Sequence, residues 1–326
     1  MRAAVRDRYG SVDVVRLDDV DRPTPADDEV LVQVHAASVN RADLDALGPR
    51  PGITRLFLGI RRPRVRRLGC DMAGVVESVG ASVTRFRPGD RVFGDLYAYG
   101  QGAFAEVVAV PAKGLQKVPA ALTFEEAVTL PHSAILALQG LRLRNGRTIH
   151  AGDKVLIDGA SGNVGPFAVQ IAKAMGAEVT GSCSPAKMDL VRSLGADHVI
   201  DYTRVDYTRE GERYDWILDV DGHHRMLRCR RALAPKGVYV TIGGSNLTLF
   251  EALWLGPLLT LLGDRYLGLM FWWKPFKAED VATVTQLIAD DRLKPIIDRR
   301  FPLAEVVDAL RYLDSGKARG KVIVTV

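Results

Sequence analysis

The sequence predicts an α/β protein of two domains, one with a doubly wound parallel sheet and one with an antiparallel, barrel-like sheet. Three observations predict this: strand patterns follow one another without helices in the first third, strand and helix patterns alternate after about Thr123, and the last residues, "GKVIVTV", again form a strand pattern. With 326 residues, 47% of them hydrophobic and 25% charged, the chain is long enough for two hydrophobic cores.

The first domain is predicted from its strand patterns. Glu29–Val39 and Met72–Gly80 alternate or are rich in β-branched residues, and "GDRVFG" and "AFAEVVAV" follow turn signals. If the last strand rejoins this sheet, the α/β part is an insertion whose two ends lie close together. We therefore predict a first domain of residues 1–122 and 277–326, and a second domain of residues 123–276.

The second domain is predicted from a change of period. A capping box, Thr123 with Glu126 three residues later, opens a helical pattern. Strands and helices then alternate along the chain, in the order "KVLIDG", "PFAVQIAKAMG", "EVTGSC", "PAKMDLVRSLG", "HVID", "WILDV", "MLRCRRALAP" and "GVYVTIGG". Such alternation is typical of βαβ crossovers and of a parallel sheet with helices on both faces.

The stretch "DGASGNVGPFAVQIAK" carries three glycines between the first of these strands and its helix. Gly159 permits a sharp exit from the strand, Gly162 lets the backbone approach a pyrophosphate, and Gly165 lets the helix pack close to the sheet. Pro166 suits the first helical turn, where its missing N–H is not needed. The positive end of the helix then faces the phosphates, so the stretch predicts a dinucleotide site.

The end of the second strand indicates which dinucleotide binds. NAD sites usually carry a carboxylate there, whereas this chain reads "TGSCSPAK", without an acid. Ser182, Ser184 and Lys187 offer two hydroxyls and a cation for a phosphate dianion. Lys187 alone is equally consistent with a solvent-facing helix lysine, and the missing acid decides in favour of NADPH.

Cysteine usage and the absence of targeting patterns predict a cytoplasmic protein. Cys70, Cys183 and Cys229 have no CxxC spacing, which excludes a disulfide framework and a four-cysteine zinc lobe. The first residues lack the apolar region of a signal peptide, and no run of about eighteen uncharged apolar residues occurs. The most apolar stretch, Ala252–Trp273, is interrupted by charge, and we interpret it as buried core or subunit interface rather than membrane contact.

A basic stretch, Arg55–Gly69, holds six arginines within a chain of net charge +5. A nucleic-acid patch is one interpretation. A solvated loop is the favoured one, because Phe57 is the single aromatic residue available for stacking. Electrostatic attraction of an anionic cofactor or substrate is a third.

Several motifs together resemble the medium-chain dehydrogenase/reductase superfamily, in its zinc-independent quinone oxidoreductase (zeta-crystallin-like) branch. The resemblance covers nearly the whole chain and implies a GroES-like, partly open β-barrel catalytic domain built from both chain ends, with a Rossmann domain inserted and the cofactor in the cleft between them. The motifs are Ala36–Leu44, Leu68–Gly80, Phe86–Gly94, Val155–Lys173, Leu194–Tyr202 and the terminal "GKARGKVIVTV".

The resemblance also implies a set of cofactor contacts. Tyr202 would join Ser184 and Lys187 around the 2′-phosphate, the glycine turn would line the pyrophosphate, and the residues after "VYVTI" would approach the nicotinamide. It further implies a homodimer formed through edge strands of the Rossmann sheet, near the apolar Leu253–Met270 region. The expected contacts are Asn40, Ser161, Gly162, Asn163, Val164, Ser182, Ser184, Lys187, Tyr202, Ile242, Gly243 and Ser245.

The metal ligands of zinc alcohol dehydrogenases match Asn40, Cys70 and His132 here, and we expect no metal because Asn40 is a poor zinc ligand. Cys70 is interpreted as a small buried residue. For His132, helix packing and a donor role toward the cofactor both stay open. Asn40 is the catalytic candidate, for orienting the cofactor or a carbonyl, although a helix cap explains it equally well.

The expected function is an NADPH-dependent reductase of quinones or activated alkenes. Hydride transfer to such acceptors needs positioning and polarisation more than acid-base power, and solvent can supply the proton. One alternative is an alkenal or enoyl double-bond reductase. Others are a cofactor-binding protein that contacts RNA through Arg61–Arg67, and a metal-dependent alcohol dehydrogenase.

Overall fold

A computed structural model describes residues 1–48, 59–220, 224–270 and 277–326. The chain divides into two compact units, each described here by itself. The first unit comprises Met1–His132, Pro275–Val281 and Pro295–Val326, and the second comprises Ser133–Lys274 and Ala282–Lys294. Of the basic stretch predicted from the sequence, residues 55–58 lie outside the described residues, as do residues 271–273 of the apolar stretch.

The first unit is mostly antiparallel β-structure. Its strands are β1 (Arg2–Val5), β2 (Arg16–Asp19), β3 (Glu29–Val39), β4 (Asp71–Val79), β5 (Arg91–Asp95), β6 (Val107–Pro111), β7 (Leu115–Lys117), β14 (Ile297–Pro302) and β15 (Lys321–Thr325). Its helices include α1 (Arg41–Leu47), α2 (Phe124–Ala127) and α10 (Val306–Asp314). The seven-stranded sheet has the order β14-β15-β3-β4-β5-β7, and β6 also pairs with β3. This confirms a GroES-like barrel domain that both ends of the sequence build.

Strand β3 organises this sheet, as its pattern predicts. Val30, Val32 and Val34 are buried, while Gln33 between the last two and His35 after them are exposed. Alternation places successive side chains on opposite faces, so the valines enter the core of the first unit. β15 pairs antiparallel with β3 on one edge and parallel with β14 on the other, which makes it an interior strand.

The second unit is a Rossmann domain. Its strands are β8 (Lys154–Asp158), β9 (Glu178–Cys183), β10 (His198–Asp201), β11 (Tyr214–Asp219), β12 (Leu233–Thr241) and β13 (Tyr266–Leu269). Its helices are α3 (Ile135–Gly140), α4 (Gly165–Ala174), α5 (Met188–Ser193), α6 (Met226–Cys229), α7 (Asn246–Phe250) and α8 (Gly256–Leu261). Helix α9 (Ala278–Ala289) begins in a segment assigned to the first unit and ends in one assigned to the second. The order β10-β9-β8-β11-β12-β13, with parallel pairs throughout, is the 3-2-1-4-5-6 order of dinucleotide-binding domains.

The compact units differ at two places from the predicted domain limits of 1–122, 123–276 and 277–326, which stay a prediction. Residues 123–132 belong to the first unit because Phe124 stacks on His35 at 4.7 Å and lies under the Arg91 guanidinium. Residues 282–294 belong to the second unit. There Lys294 and the Gln170 side chain exchange two hydrogen bonds, at 2.9 and 3.1 Å.

Two predicted helices are shorter than their patterns suggest. The capping box at Thr123 is present, with Thr123 N donating to Glu126 at 2.9 Å, but α2 ends at Ala127 and a π-helical turn, Leu130–Ala134, precedes α3. Pro131 has no N–H for a regular helix, which accounts for the interruption. The pattern "MLRCRRALAP" gives only α6 and a short 3₁₀ turn, because Leu233 already starts β12.

The apolar stretch Ala252–Trp273 is not all core. Trp254, Leu258, Leu261 and Leu262 are exposed by 65%, 51%, 82% and 75%, so the interpretation as core is wrong for these side chains. The interpretation as subunit interface stays a prediction. Among the described residues, no helix is both long and apolar enough to cross a membrane.

Candidate active site

The glycine turn of the second unit connects the end of β8 to the start of α4. Gly159 has a φ of 82°, in the left-handed region that glycine adopts without strain. Its N–H and that of Ala160 both donate to Ser182 O, at 3.2 and 2.9 Å, so the turn is fastened to the neighbouring strand β9. The chain leaves the sheet at this point, as the glycine pattern predicts.

The next two glycines make room for two different neighbours. A Cβ on Gly165 would lie 2.2 Å from Gly159 O, so this position requires glycine and brings the start of α4 against the turn. A Cβ on Gly162 would meet only Gly159 O within 4 Å, at 3.5 Å, and Gly162 is exposed. The backbone at Gly162 is thus open for a pyrophosphate at the N-terminus of a ten-residue helix, and the residues present fit a dinucleotide.

The flanking residues of the turn vary in accessibility. Asn163 is half-buried, whereas Ser161 and Val164 are exposed by only 7% and 6%. Ser161 and Val164 therefore offer backbone groups to a phosphate more readily than side chains. Pro166 falls within the first turn of α4, as predicted.

The ends of β9 and β10 carry the residues that the sequence predicts to contact a 2′-phosphate. Cys183 pairs with Asp201 across the two strands, and Tyr202 N donates to Cys183 O at 3.3 Å, which places Tyr202 beside Ser184. Lys187 N donates to Ser184 O at 3.0 Å in a tight turn that returns Lys187 toward the strand end. Ser184, Lys187 and Tyr202 are thus brought together.

Two cationic side chains act on the end of β9. Burial raises the pKa of the Cys183 thiol to about 11, with the Asp201 charge adding to the rise, while the charges of Arg192 and Lys187 oppose it. Arg192, on the exposed side of α5, therefore acts on the same strand end as Lys187. The sequence reasoning missed Arg192, which lies on α5, the helix that starts directly after Lys187.

The Asp201 carboxylate, at the end of β10, is already hydrogen-bonded. Asp201 Oδ1 accepts hydrogen bonds from Thr203 N and Thr203 Oγ1, at 2.9 and 2.7 Å. Ser182 differs from the prediction of a phosphate contact: its side chain is fully buried, and its Oγ has no hydrogen-bond partner among the residues that the structure describes. Ser182 contributes its carbonyl to the glycine turn instead.

The residues expected near the nicotinamide follow β12. Ile242 N donates to Asp219 O at 2.9 Å, and both Ile242 and Gly243 are half-buried. Ser245 is exposed and caps α7, because Thr248 N donates to Ser245 Oγ at 3.2 Å. The chain therefore turns away from the sheet at this point, and the Ser245 hydroxyl is already engaged as a helix cap.

A buried polar cluster lies in the first unit around Asn40. Asn40 Nδ2 donates to Asp71 Oδ2 at 2.9 Å and, at 3.3 Å, to Ser38 O. Asn40 Oδ1 accepts from the Lys321 ammonium at 2.6 Å. Both amide hydrogens of this fully buried side chain are thus used.

Lys321 and Asp71 are the charged centre of this cluster. Their charged atoms lie 3.8 Å apart, both side chains are almost completely buried, and Ser38 Oγ donates to Asp71 Oδ2 at 2.9 Å. Burial lowers the pKa of Lys321, against the attraction of the surrounding carboxylates. Burial raises the pKa of Asp71 to about 7, although Lys321 opposes the rise. Within the described parts of the chain, Asp71 Oδ1 has no hydrogen-bond partner.

Asp43 serves the start of α1. Its Oδ2 accepts from Asn40 N at 2.7 Å and its Oδ1 lies 3.1 Å from the Cys70 Sγ that donates to it. Burial raises the pKa of Asp43 to about 6, and burial with the nearby carboxylates raises the pKa of the Cys70 thiol well above its usual range. Cys70 is therefore an inert buried thiol, as expected.

His132 is paired with a buried carboxylate. His132 Nδ1 lies 3.0 Å from Asp95 Oδ2, and Tyr97 N donates to Asp95 Oδ1 at 2.7 Å. Burial alone would lower the pKa of His132, but the hydrogen bond to Asp95 and the charges of Asp95 and Asp71 raise it. The ring is thus hydrogen-bonded to a buried carboxylate, and its centroid lies 6.1 Å from that of the Tyr97 ring.

The cluster brings His132, one of the matched metal-ligand positions, together with two carboxylates that the match did not include. One atom from each of Asp71, Asp95 and His132 lies within 4.8 Å of the others, while Cys70 is bonded to Asp43. The Lys321 ammonium already supplies a cation to Asp71. The sequence reasoning missed Asp71, Asp95 and Lys321 because their strands are far apart in the chain.

Together, a Rossmann unit with an open glycine turn and a GroES-like unit define a nucleotide-dependent dehydrogenase or reductase. Two family models match the chain, an alcohol dehydrogenase GroES-like domain over residues 26–120 and a zinc-binding dehydrogenase over residues 194–324. The chain belongs to the medium-chain dehydrogenase/reductase superfamily, in its zinc-independent, quinone oxidoreductase-like branch, and is an NAD(P)H-dependent oxidoreductase.

Relatives and solved structures support this assignment over the full length. The chain is 33% identical to the mitochondrial NAD(P)H oxidoreductase RTN4IP1 of Mus musculus, with 100% of this chain and 89% of the relative covered. The quinone oxidoreductase from Coxiella burnetii superposes with a TM-score of 0.88 at 27% identity, covering 100% and 99% of the two chains. The CurK enoyl reductase superposes with a TM-score of 0.85 at 27% identity, covering 99% and 98%.

Proposed function

We propose that the chain is an NADPH-dependent reductase of quinones or α,β-unsaturated carbonyl compounds that works without a metal. The observation that carries the choice of NADPH is the end of β9, where Cys183 stands in place of a carboxylate and Ser184, Lys187 and Tyr202 lie together. A 2′-phosphate dianion would gain charge-assisted hydrogen bonds there, with Arg192 adding positive charge.

The chain's own residues bind and orient the cofactor. Backbone groups around Ser161, Gly162, Asn163 and Val164 receive the pyrophosphate, and Ile242 with Gly243 borders the nicotinamide half. The Gly162 N–H already donates to Gly159 O at 3.1 Å, so Gly162 contributes an unobstructed approach rather than a donor. NADPH supplies the hydride when it is bound. The proposed role of Ser182 is indirect, through the carbonyl that fastens the turn, and Ser245 acts chiefly as the cap of α7.

Asn40 is proposed as a positioning residue. Lys321 and Asp71 hold its amide from both sides, so its conformation is fixed before any substrate arrives. No further hydrogen on Nδ2 remains to polarise a carbonyl, which favours an ordering role for the start of α1 over direct proton donation. Solvent supplies the proton that follows the hydride.

Solved structures similar to this chain include enzymes of both candidate acceptor classes, quinones and activated alkenes. The Coxiella burnetii structure is a quinone oxidoreductase and CurK is an enoyl reductase, so both acceptor types occur on this fold. Hydride addition to a quinone and to an enone needs the same ordered cofactor and a polarised oxygen. An alkenal or enoyl reductase is the second candidate.

Assembly and location complete the proposal. β13 lies at the end of the six-stranded sheet, and a homodimer would form by pairing its outer edge with that of a second copy. The proposed location is the cytoplasm, as expected from the sequence, although the mouse relative is mitochondrial. Nucleic acid is not proposed as a partner, since Arg66 of the basic stretch is already paired with Asp7.

The test is consumption of NADPH or NADH, followed by absorbance, with a benzoquinone, a naphthoquinone, an enal and an enone. We expect NADPH to exceed NADH by at least about tenfold in kcat/KM, which corresponds to one charge-assisted contact. The order of rates among the four acceptors decides between the quinone and alkene candidates. Preference for NADH, or alcohol oxidation that a chelator abolishes, would contradict the proposal.

A further inference from the structure

The positive charge of the chain is concentrated in one part of the first unit. Residues 1–10 and 59–69 contain eight arginines and a single aspartate, which gives a net charge of +7, whereas the whole chain carries +5. The rest of the chain is therefore slightly acidic. The two stretches are also neighbours in space, because Val5 and Arg67 form an antiparallel bridge and Arg6 N donates to Arg66 O at 2.9 Å.

A tight turn from Gly59 to Arg64, here called the arginine turn, displays part of this charge. Gly59 has a φ of 112°, and a Cβ there would lie 2.0 Å from Arg62 O, so the turn requires glycine. Pro63 is buried, whereas Arg61, Arg62 and Arg64 are exposed. The turn is thus anchored by its proline and presents three cationic side chains to solvent.

The charge of the arginine turn is not neutralised by neighbouring acids. Within the described parts of the chain, its three arginines form no ion pair, and neither does the exposed Arg8. Asp7, the single aspartate of the two stretches, is already paired with Arg16 and Arg66. Like charges held together without a counter-charge repel one another, so a bound anion would be favoured here.

The arginine turn is tied to the C-terminal end of α1. Tyr9 Oη donates to Gly59 O at 2.8 Å, and Gly10 N donates to Leu47 O at 2.9 Å, so consecutive residues join the turn to the last residue of the helix. α1 begins directly after Asn40, and its seven residues span about 10 Å. The turn is therefore joined to the helix end that is remote from the proposed positioning residue.

Arg6 makes this helix end receptive to anions. The residue is exposed by only 3%, its Nη1 donates to Ala46 O, and its guanidinium lies 5.7 Å from the centroid of the Tyr9 ring. The C-terminal end of a helix carries partial negative charge, which would repel a phosphate, and the Arg6 cation offsets it. Burial lowers the pKa of Arg6, whereas Tyr9 and the charge of Asp43 oppose this change. Among the described residues, Arg6 Nε has no hydrogen-bond partner.

We propose that the arginine turn binds phosphate on the electron acceptor, and that the preferred acceptor is an α,β-unsaturated carbonyl compound joined by a spacer to a phosphorylated carrier. This inference rests on the proposed reductase function. Guanidinium groups bind phosphate through paired, charge-assisted hydrogen bonds, and the length of α1 requires a spacer of about 10 Å or more. The double bond gains a hydride at its β-carbon, as NADPH is oxidised to NADP⁺, and a solvent proton at its α-carbon, while the phosphate stays unchanged.

The residues around the arginine turn favour such an acceptor over RNA or a bilayer. Tyr9 is the single aromatic residue of the two stretches, and its hydroxyl is bound to Gly59 while its ring lies beside Arg6, so no platform exists there for stacking bases. Ile60, exposed by 66%, is the single large apolar side chain exposed there. One such side chain buries too little apolar area to hold a protein on a lipid surface.

The test compares crotonyl-phosphopantetheine with crotonyl-pantetheine, two thioesters that share the reacting group and differ by one phosphate. With the full-length chain and NADPH at low salt, we expect the phosphorylated ester to have a KM at least about tenfold lower, with similar kcat. The difference should shrink at high salt. Arg61→Gln with Arg62→Gln should raise the KM of the phosphorylated ester at least about tenfold and so remove the difference between the two esters.

Arg85→Gln with Arg87→Gln is the matched control, because both are exposed arginines of the first unit outside the arginine turn. It should keep the native preference for the phosphorylated ester. Equal KM values for the two esters would overturn the inference, as would an undiminished preference in the Arg61/Arg62 variant. Weaker binding of NADPH by that variant would also overturn it, since the arginine turn would then serve the cofactor.

A binding measurement keeps this inference apart from the proposed function. Titrated calorimetrically into the chain with NADP⁺ bound, phosphopantetheine should bind at least about tenfold more tightly than pantetheine, and the Arg61/Arg62 variant should lose this difference. If NADPH is consumed with no acceptor, the proposed function fails, while the titration still decides the inference. Equal binding of the two compounds, with salt-sensitive retention of RNA or of anionic vesicles, would assign the arginine turn to a macromolecule instead.

Discussion

At the scale of single residues, the two units differ in the charged groups that matter. Cationic side chains surround the end of β9 in the second unit, whereas buried carboxyl groups cluster in the first. Lys187 and Arg192 supply positive charge to a strand end that lacks an acid. In the first unit, Asp43, Asp71 and Asp95 are all buried around one lysine and one histidine. Because burial penalises the charged forms, Asp43 and Asp71 hold protons at pH values where exposed carboxyls have lost them.

Lys187→Ala should weaken NADPH binding about tenfold or more and leave NADH binding nearly unchanged. The lysine is proposed to contact only the 2′-phosphate, and a lost charge-assisted contact costs about 1.5 kcal/mol or more. Titration of cofactor fluorescence measures both dissociation constants. Lys317→Ala, at an exposed lysine of the first unit, is the control, and equal weakening of both cofactors by Lys187→Ala would contradict the phosphate pocket.

The buried carboxyls predict a stability that falls as the pH rises. Asp71 titrates at about 7 and Asp43 at about 6 in the folded chain, whereas carboxyls of the unfolded chain titrate near 4. Between these values the folded chain binds more protons than the unfolded one, so the free energy of unfolding decreases with pH. The raised pKa of His132 acts in the same direction.

Urea unfolding followed by circular dichroism at about pH 5 and about pH 8 measures this fall. Asp71→Asn removes one of the titrating groups, and the difference between the two pH values should shrink in that variant. A free energy of unfolding that is constant or higher at the alkaline pH would show that these carboxyls ionise normally.

At the scale of elements, the glycine turn and its helix were the most predictable part of the chain. Strand, turn and helix are consecutive in sequence, so local rules of backbone geometry suffice to locate β8, Gly159, Gly165 and α4. The limits of β3 and β9 agree with their patterns for the same reason. The helix after Thr123 is interrupted because a local pattern does not show how the chain packs after Pro131.

Gly165→Ala should disturb the turn directly. The new Cβ would lie 2.2 Å from Gly159 O and 2.5 Å from Ala160 C, and both are backbone atoms that cannot rotate away. We expect a loss of about 2 kcal/mol in stability and at least about tenfold weaker cofactor binding. Thermal unfolding and cofactor titration measure the two effects.

Gly48→Ala is the control, because the added Cβ meets only Gly10 O, at 3.7 Å. It should change neither stability nor cofactor binding appreciably. Native cofactor affinity in Gly165→Ala would mean that α4 can move away from the turn without consequence for the site.

At the scale of the whole molecule, the chain interrupts one fold to insert another. The alternation of patterns predicted the inserted Rossmann domain, and the last strand pattern predicted the return to the barrel. The buried cluster was not predictable in this way, since Asn40, Asp71, Asp95, His132 and Lys321 come from distant segments and only the folded sheet brings them together. Likewise, an apolar run does not show which of its residues face outward.

Deletion of residues 321–326 should prevent the first unit from folding. β15 is hydrogen-bonded on both edges, and Val322, Ile323 and Val324 are fully buried, so its loss opens the sheet and removes Lys321. Circular dichroism and limited proteolysis should show loss of strand structure and rapid cleavage. Deletion of Val326 alone, a residue exposed by 40%, should have little effect, and protease resistance equal to that of the native chain in the longer deletion would contradict the expectation.

The interior position of β15 also has a consequence for synthesis on the ribosome. β3 emerges early, and β6 soon pairs with residues 29–33 on one of its edges, but β15, which pairs with residues 36–39 on the same edge, follows all six strands of the Rossmann sheet. The second unit can therefore complete its sheet on the nascent chain before β15 has been synthesised. Throughout that interval residues 36–39 of β3 lack their native pairing on this edge and are a template for unwanted strand pairing.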